Sequence, residues 1–417
     1  MSQQVQDALR AWGDYDRDNP FPLFADVLGE GPVHEVTLAD GHRAFLVLGY
    51  DAAREALNHP DLSKDMEAAM DAEGAVVAEG LPGRDFARHM LSVDPPDHRR
   101  LREIASPGFT RTRLAGLEEG VVATVDRLLD QLAAADGPVD LVEGFALPLP
   151  FSVIGELLGI DTAGQQSLAG WFATLMAPYS GSTPPPQAVA ASDSIVAFLN
   201  ELVDERLARP TEDIVGDLAR AANDGLISRK ELLSSLFQLI VAGHHTTTSL
   251  IGNGIVALLL NPDQLQALVA DPSLVPRAVE EFLRYDAPVP HSTFRYAAKD
   301  LVIAGAHIPA GVQVIVNLAA AGRDPARVED PDRLDVNRTS TDHLAFGHGI
   351  HHCLGARLAR LEAKIAFTSL LGRFPRMQLA VAPYELRWDH GDGVVLRGLS
   401  ALPVDLGHGL APTSAPD

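Results

Sequence analysis

One stretch, SRKELLSSLFQLIVAGHHTTTSLIGNGIVALLLNP (residues 228–262), constrains this chain more than any other. Ser228 and Glu231 have the spacing of a capping box, in which each side chain reaches the other's backbone N–H. Pro262 stops the helix at the far end, because the residue before a proline is pushed out of helical dihedrals. About 33 residues lie between these signals, ~50 Å at the usual rise per residue. A helix of that length, apolar around much of its circumference, predicts a large core through which it runs. At its centre AGHHTTT interrupts the pattern, since two imidazoles and three β-branched alcohols weaken both helix propensity and the apolar face. Either these side chains bond back to carbonyls or face solvent, or a polar partner offsets their burial.

The rest of the chain agrees with a mainly α protein carrying a minor β part built from distant segments. VHEVTLADGHRAFLVLGY (33–50) reads as a hairpin about the Asp40-Gly41 turn. Further β regions are expected at 300–317, as two strands punctuated by Gly305, Pro309 and Gly311, and at 393–406. Helical patterns cover 114–135, 188–209, 228–260, 262–270, 273–285 and 354–374. The Pro-rich stretch 177–187 joins two helices and continues neither. With no internal repeat and no long linker, residues 1–417 read as a single domain, although the length alone permits two or three.

Composition narrows the function. Fifty-six acidic against 33 basic residues give a net charge of −23, which argues against a nucleic-acid binder. A single cysteine excludes an intrachain disulfide framework and fits a reducing compartment. The N-terminus lacks a signal peptide's basic start and apolar core, and no run approaches the ~18 apolar residues of a membrane span. The expectation is a cytoplasmic monomer with no membrane attachment.

That cysteine, Cys353, sits in AFGHGIHHCLG (345–355) with His343, His348, His351 and His352 close in sequence. A lone cysteine is most often a small buried hydrophobe. Here Gly347, Gly349 and Gly355 let the backbone bend sharply and approach something flat. A helix expected from Leu354 places the thiol at a helix N-terminus, which stabilises a thiolate. A four-ligand zinc site is strained with one sulfur and histidines so tightly packed. A Cys/His nucleophile lacks an evident set of oxyanion donors. An axial thiolate to haem iron needs one cysteine and a close backbone.

FGHGIHHCLG resembles the haem-binding loop of cytochrome P450 enzymes, with Phe346, Gly349, His351, Cys353 and Gly355 in the family's positions. Three more motifs follow the family's order: DPPDHRRLR (94–102), AGHHTT (242–247) and EFLR (281–284). The resemblance spans nearly the whole chain. It implies the cytochrome P450 fold, with haem b between the long central helix and the helix after the Cys loop. Cys353 is then the axial ligand, with Phe346 and Gly347 beside it and the N–H groups of Leu354 and Gly355 tuning its charge. His98, Arg102, Arg295 and His351 are implied as partners of the haem carboxylates. Ala242 and Gly243 would lie along the haem, and Thr246 would be the alcohol that holds dioxygen and a proton-delivering water. Glu281 and Arg284 would form the helix ion pair, joined by Arg333 of PDRLD.

One departure stands out. The family usually has a carboxylate before that threonine, and this chain has His245. An imidazole can relay protons, or it can pack while water does the work.

The implied reaction inserts one atom of O2 into an apolar small molecule by hydroxylation or epoxidation, with a natural product, macrolide or steroid as the family-level substrate. Alternatives are a haem-thiolate oxidase or peroxygenase that couples or rearranges its substrate, a haem sensor, and a zinc-binding structural protein. No dinucleotide fingerprint appears and one cysteine cannot hold an iron–sulfur cluster, so a separate ferredoxin or flavodoxin with its reductase is implied rather than a fused one. Arg100, Arg102, Arg357 and Arg360 are candidates for docking it. By family position the substrate pocket draws on Phe86, Met90, Met176, Leu239, Ala242, Val289 and Thr293.

Overall fold

A computed structural model describes residues 2–38, 40–65, 86, 88–175, 184–389 and 396–407. Met176 and part of the third expected β region therefore lie outside the described residues. The chain packs as two compact units: unit 1 comprises Met1–Leu62, Val121–Leu149 and Thr246–Asp417, and unit 2 comprises Ser63–Gly120 and Pro150–His245. Among the described residues no helix is long and apolar enough to cross a membrane.

Unit 1 is organised on a sheet. Strands Val33–Thr37 and Arg43–Val47 pair antiparallel, from Val33 opposite Val47 to Thr37 opposite Arg43. Gly41 closes the hairpin at φ +85°, a conformation that costs glycine nothing. Gln313–Val316 lies parallel to the second strand, and Tyr296 then pairs antiparallel with Gln313. Successive side chains point to opposite faces, and both faces are covered. Phe45, Val47, Val314 and Val316 pack with Ala53, Ala56 and Leu57 of helix Tyr50–Leu57. Ala44, Leu46 and Ile315 pack with Val5, Trp12, Phe24 and Val27.

The segment 300–317 holds three strands rather than two. Leu301–Ile303 folds straight back on Ala306–Ile308, because Ala304 and Gly305 both take positive φ, +48° and +84°. That is the geometry of a two-residue hairpin turn, and Ala at the first position conceals it in the sequence. Similarly, the 114–135 pattern divides into Arg111–Ala115 and Glu118–Ala133.

A buried ion cluster fixes the helix Val275–Tyr285 of unit 1. Arg284 and Glu281 are both fully buried, joined by Nε–Oε2 at 2.7 Å and Nη2–Oε1 at 2.8 Å. Arg284 also donates to the carbonyls of Gly322 (3.2 Å), Pro331 (2.7 Å) and Arg333 (3.1 Å). The expected third member needs correction. Arg333 contributes its carbonyl while its side chain is exposed. The side-chain ion pair to Glu281 comes from Arg338, 3.2 Å from Oε2. The turn about Asp330, at φ +45°, directs the later arginine inward.

The helix Ala356–Arg373 carries a second buried acid, Glu362, which is 1% exposed. Its Oε2 has no hydrogen-bond partner among the described residues, and burial pushes the carboxyl from 4.5 to about 8. The folded protein therefore holds this proton after the unfolded chain has released it. Stability from this group is full below pH 4.5 and is lost progressively up to about pH 8. Glu362→Gln is expected to remove that slope and to stabilise the protein by about 3 kcal/mol at pH 7. Denaturant unfolding across pH 5–8 checks it; parallel curves for the two proteins would contradict the assignment.

Unit 2 holds the start of the central helix, which runs Arg229–Leu260. The capping box forms as expected, with Ser228 N–H donating to Glu231 Oε2 at 2.8 Å and Glu231 N–H to Ser228 Oγ at 3.2 Å. Glu231 also receives Arg100 at 2.5 Å, so helix Asp97–Ala105 is tied to this terminus.

Candidate functional site

The Cys353 loop belongs to unit 1. Gly347 N–H donates to Leu344 O at 2.7 Å, and Cys353 N–H donates to Phe346 O at 2.8 Å. Between them Gly349–His351 makes one 3₁₀ turn, with His352 N–H bonded to Gly349 O at 3.0 Å. Gly347 and Gly349 take φ +70° and +74°, where a side chain is strained. A Cβ at Gly349 would also stand 3.0 Å from Leu57 O, so the loop lies against the end of helix Tyr50–Leu57. Cys353 is an exposed residue on this loop. The following helix starts at Ala356 rather than Leu354, and Leu354-Gly355 is a turn. A Cβ on Gly355 would reach 4.0 Å from Cys353 Sγ.

The four histidines separate. His351 and His348 are half-buried, and His352 is exposed. His343 turns away to Glu280, its Nε2 3.1 Å from Oε2. Among the described residues no group of three or more His, Cys, Asp or Glu is placed to hold a metal ion.

Arg295, also in unit 1, is 4% exposed and donates to Ser292 Oγ at 2.9 Å and Thr293 O at 3.0 Å. Val289 and Thr293 are half-buried, with Val289 against the sheet core. Phe294, next in sequence, is 44% exposed.

Unit 2 supplies the other basic residues. His98 is 3% exposed and Arg102 half-buried on helix Asp97–Ala105. Lys64, unmarked by the sequence, is also 3% exposed. Burial, then Arg102, depress the His98 imidazole below its ordinary range; Lys64 adds to this, and only Asp94 opposes it. Nearby, burial and Lys64 bring His89 down to about 4. Asp94 accepts from Ser63 Oγ at 2.5 Å and Lys64 N–H at 3.1 Å. Lys64, His98 and Arg102 thus act on one another beside Asp94, and donors of this kind suit the carboxylates of a group such as haem.

On the central helix, Gly243 is held for packing, since a Cβ there would stand 2.9 Å from Ile154 Cδ1. Ala242 and Val241 are exposed, and Thr246 is half-buried. The two imidazoles take different surroundings. His244 is 6% exposed and packs edge-on against Phe151, centroids 4.7 Å apart. His245 is half-buried, its ring 4.4 Å from that of His244. Of the expected pocket residues in unit 2, Phe86, Met90 and Leu239 are buried at 3–5% exposure, and Phe86 stacks on Phe237 at 4.6 Å. Arg100 is committed to Asp97 and Glu231, and Arg360 to Glu280, so neither is a spare docking charge. Arg357 is exposed.

Comparison with known proteins gives one answer. The family described as Cytochrome P450 matches residues 188–380. Cytochrome P450 107B1 of Saccharopolyspora erythraea is 44% identical over 380 residues, covering 90% of this chain and 92% of that protein. The cytochrome P450 monooxygenase PikC of Streptomyces venezuelae is 41% identical, covering 95% and 93%. The tirandamycin C-bound structure of the P450 monooxygenase TamI superimposes with a TM-score of 0.84 at 40% identity, covering 95% of this chain and all of that one. With Cys353 displayed on a glycine-bent loop ahead of a helix, the chain belongs to the cytochrome P450 family, has that family's fold, binds haem b and is a monooxygenase.

Proposed function

We propose that Cys353 is the axial ligand of the haem iron and that this enzyme oxygenates an apolar natural product of macrolide or steroid size. The observation that carries the first part is the loop itself, which bends at Gly347 and Gly349 and presents the exposed residue Cys353 just before a helix N-terminus. In unit 2, His98, Arg102 and Lys64 hold carboxylate charge; in unit 1, Arg295 and His351 do. Bound haem supplies the redox chemistry in which O2, two electrons and two protons yield one oxygen atom in the product and one water. The protein's part is to exclude bulk water, orient the substrate and deliver those protons.

Proton delivery falls to Thr246, a half-buried residue at the middle of the central helix, with His245 before it as the relay. His244 is unsuited to that task because it packs into the aromatic interior against Phe151. Product formed per NADPH consumed tests this. His245→Ala is expected to lower coupling about tenfold, short of the full effect of a lost general acid because water remains. His245→Glu is expected to keep it. Equal coupling in all three proteins would remove His245 from the relay.

Electrons come from a separate ferredoxin or flavodoxin and its reductase. The lone cysteine supports action in a reducing compartment, the cytoplasm. The natural-product part of this reading is supported by TamI, whose structure holds tirandamycin C. A panel of macrolides, steroids and fatty acids, followed by the haem absorbance change on binding, tests it. Macrolides or steroids are expected to shift the spectrum; a response to fatty acids alone would overturn the reading.

A further inference from the structure

Behind the Cys353 loop, unit 1 contains a charged cluster that the functions above leave unused. Arg360 grips Glu280 with two hydrogen bonds, Nε–Oε1 at 2.6 Å and Nη2–Oε2 at 2.8 Å. His343 Nδ1 accepts the Ala345 N–H at 3.2 Å, which leaves the ring proton on Nε2 to be donated to the same carboxylate at 3.1 Å. Burial alone would raise Glu280, but Arg360 and His343 outweigh it and bring the carboxyl down to about 2. Held this way, the guanidinium lies over the Phe346 ring, 4.5 Å from its centroid. Phe346 in turn accepts the Cys353 N–H on its carbonyl. Phe346 thus links the cation to the backbone of Cys353.

We propose that Arg360 is a positioning residue for the Cys353 loop: it fixes Phe346 beside the iron ligand, and its positive charge, limited by Glu280, sets how readily the haem iron accepts an electron. The inference rests on Cys353 as the ligand and goes beyond it. A cation near the thiolate favours the ferrous state, which carries one more negative charge than the ferric. The Glu280 carboxylate opposes that field. Removing each partner therefore moves the midpoint potential in opposite directions. If the pair served only to brace the loop, either loss would loosen the same contact and move the potential the same way.

The experiment is a redox titration of the haem-loaded protein. Arg360→Gln is expected to lower the ferrous-to-ferric ratio at a fixed ambient potential at least threefold, about 28 mV at 59 mV per decade. Glu280→Gln is expected to raise it by at least as much. Arg360→Lys keeps the charge without the planar stack and is expected to stay within twofold of wild type. The Lys and Gln variants at 360 decide the matter by themselves if Glu280→Gln does not fold. Shifts of one sign in both Gln variants, or no shift in either, would overturn the proposal. The reduced carbon monoxide spectrum of the wild type separates the two claims. Its failure to show a thiolate ligand contradicts the Cys353 assignment, whereas a thiolate spectrum with unmoved potentials contradicts only the role of Arg360.

Discussion

Arg284→Ala is expected to yield little folded, haem-loaded protein. The substitution leaves Glu281 fully buried, with Arg338 as its remaining cation. Removing one partner of a buried pair costs about 3–5 kcal/mol. The carbonyls of Gly322, Pro331 and Arg333 lose a donor as well, at roughly 1–3 kcal/mol for each one left unsatisfied. That total rivals the whole stability of an ordinary domain, about 5–15 kcal/mol. Arg284→Lys keeps the charge but cannot reproduce a fork that reaches a carboxylate and three carbonyls at once, so it should also fall well below wild type. Soluble yield and denaturant midpoints measure this. A midpoint near wild type in the alanine variant would mean that the cluster does not hold unit 1 together.

Cys353→Ser is expected to do the reverse, abolishing the chemistry while sparing the fold. Cys353 is exposed and the loop's shape depends on its N–H and on two glycines, none of which the substitution touches. Stability without haem should stay within about 0.5 kcal/mol, as for other surface changes. Product formation should fall to background, because a hydroxyl is a poor substitute for the electron-donating thiolate. Retained turnover with the natural electron donor would contradict the assignment of the ligand. Loss of folding would show that Cys353 also has a structural task.

Much of this molecule is legible in local sequence. The capping box at Ser228 and Glu231, the stop at Pro262 and the hairpin at Gly41 each rest on residues a few positions apart. The Cys loop reads equally well, because Gly347 and Gly349 are required by its own backbone angles. What escaped the sequence is non-local or is masked by residue type. Whether Arg333 or Arg338 reaches Glu281 depends on how the intervening turn directs the chain, and both are arginines in one polar run. Glu280 stands beside Glu281 yet pairs with Arg360, 80 residues away. Lys64 and Glu362 look like ordinary solvated charges until their burial is seen. His343, grouped by sequence with the loop's other histidines, serves the carboxylate behind the loop instead.

On the reading proposed above, one thiolate, from Cys353, holds the haem iron. The absorption spectrum of the purified, reduced protein under carbon monoxide tests it most directly. The expected result is a red protein with one haem per chain whose adduct absorbs where thiolate-ligated haem does. A colourless, zinc-containing preparation, or an adduct absorbing where histidine-ligated haem does, would contradict it.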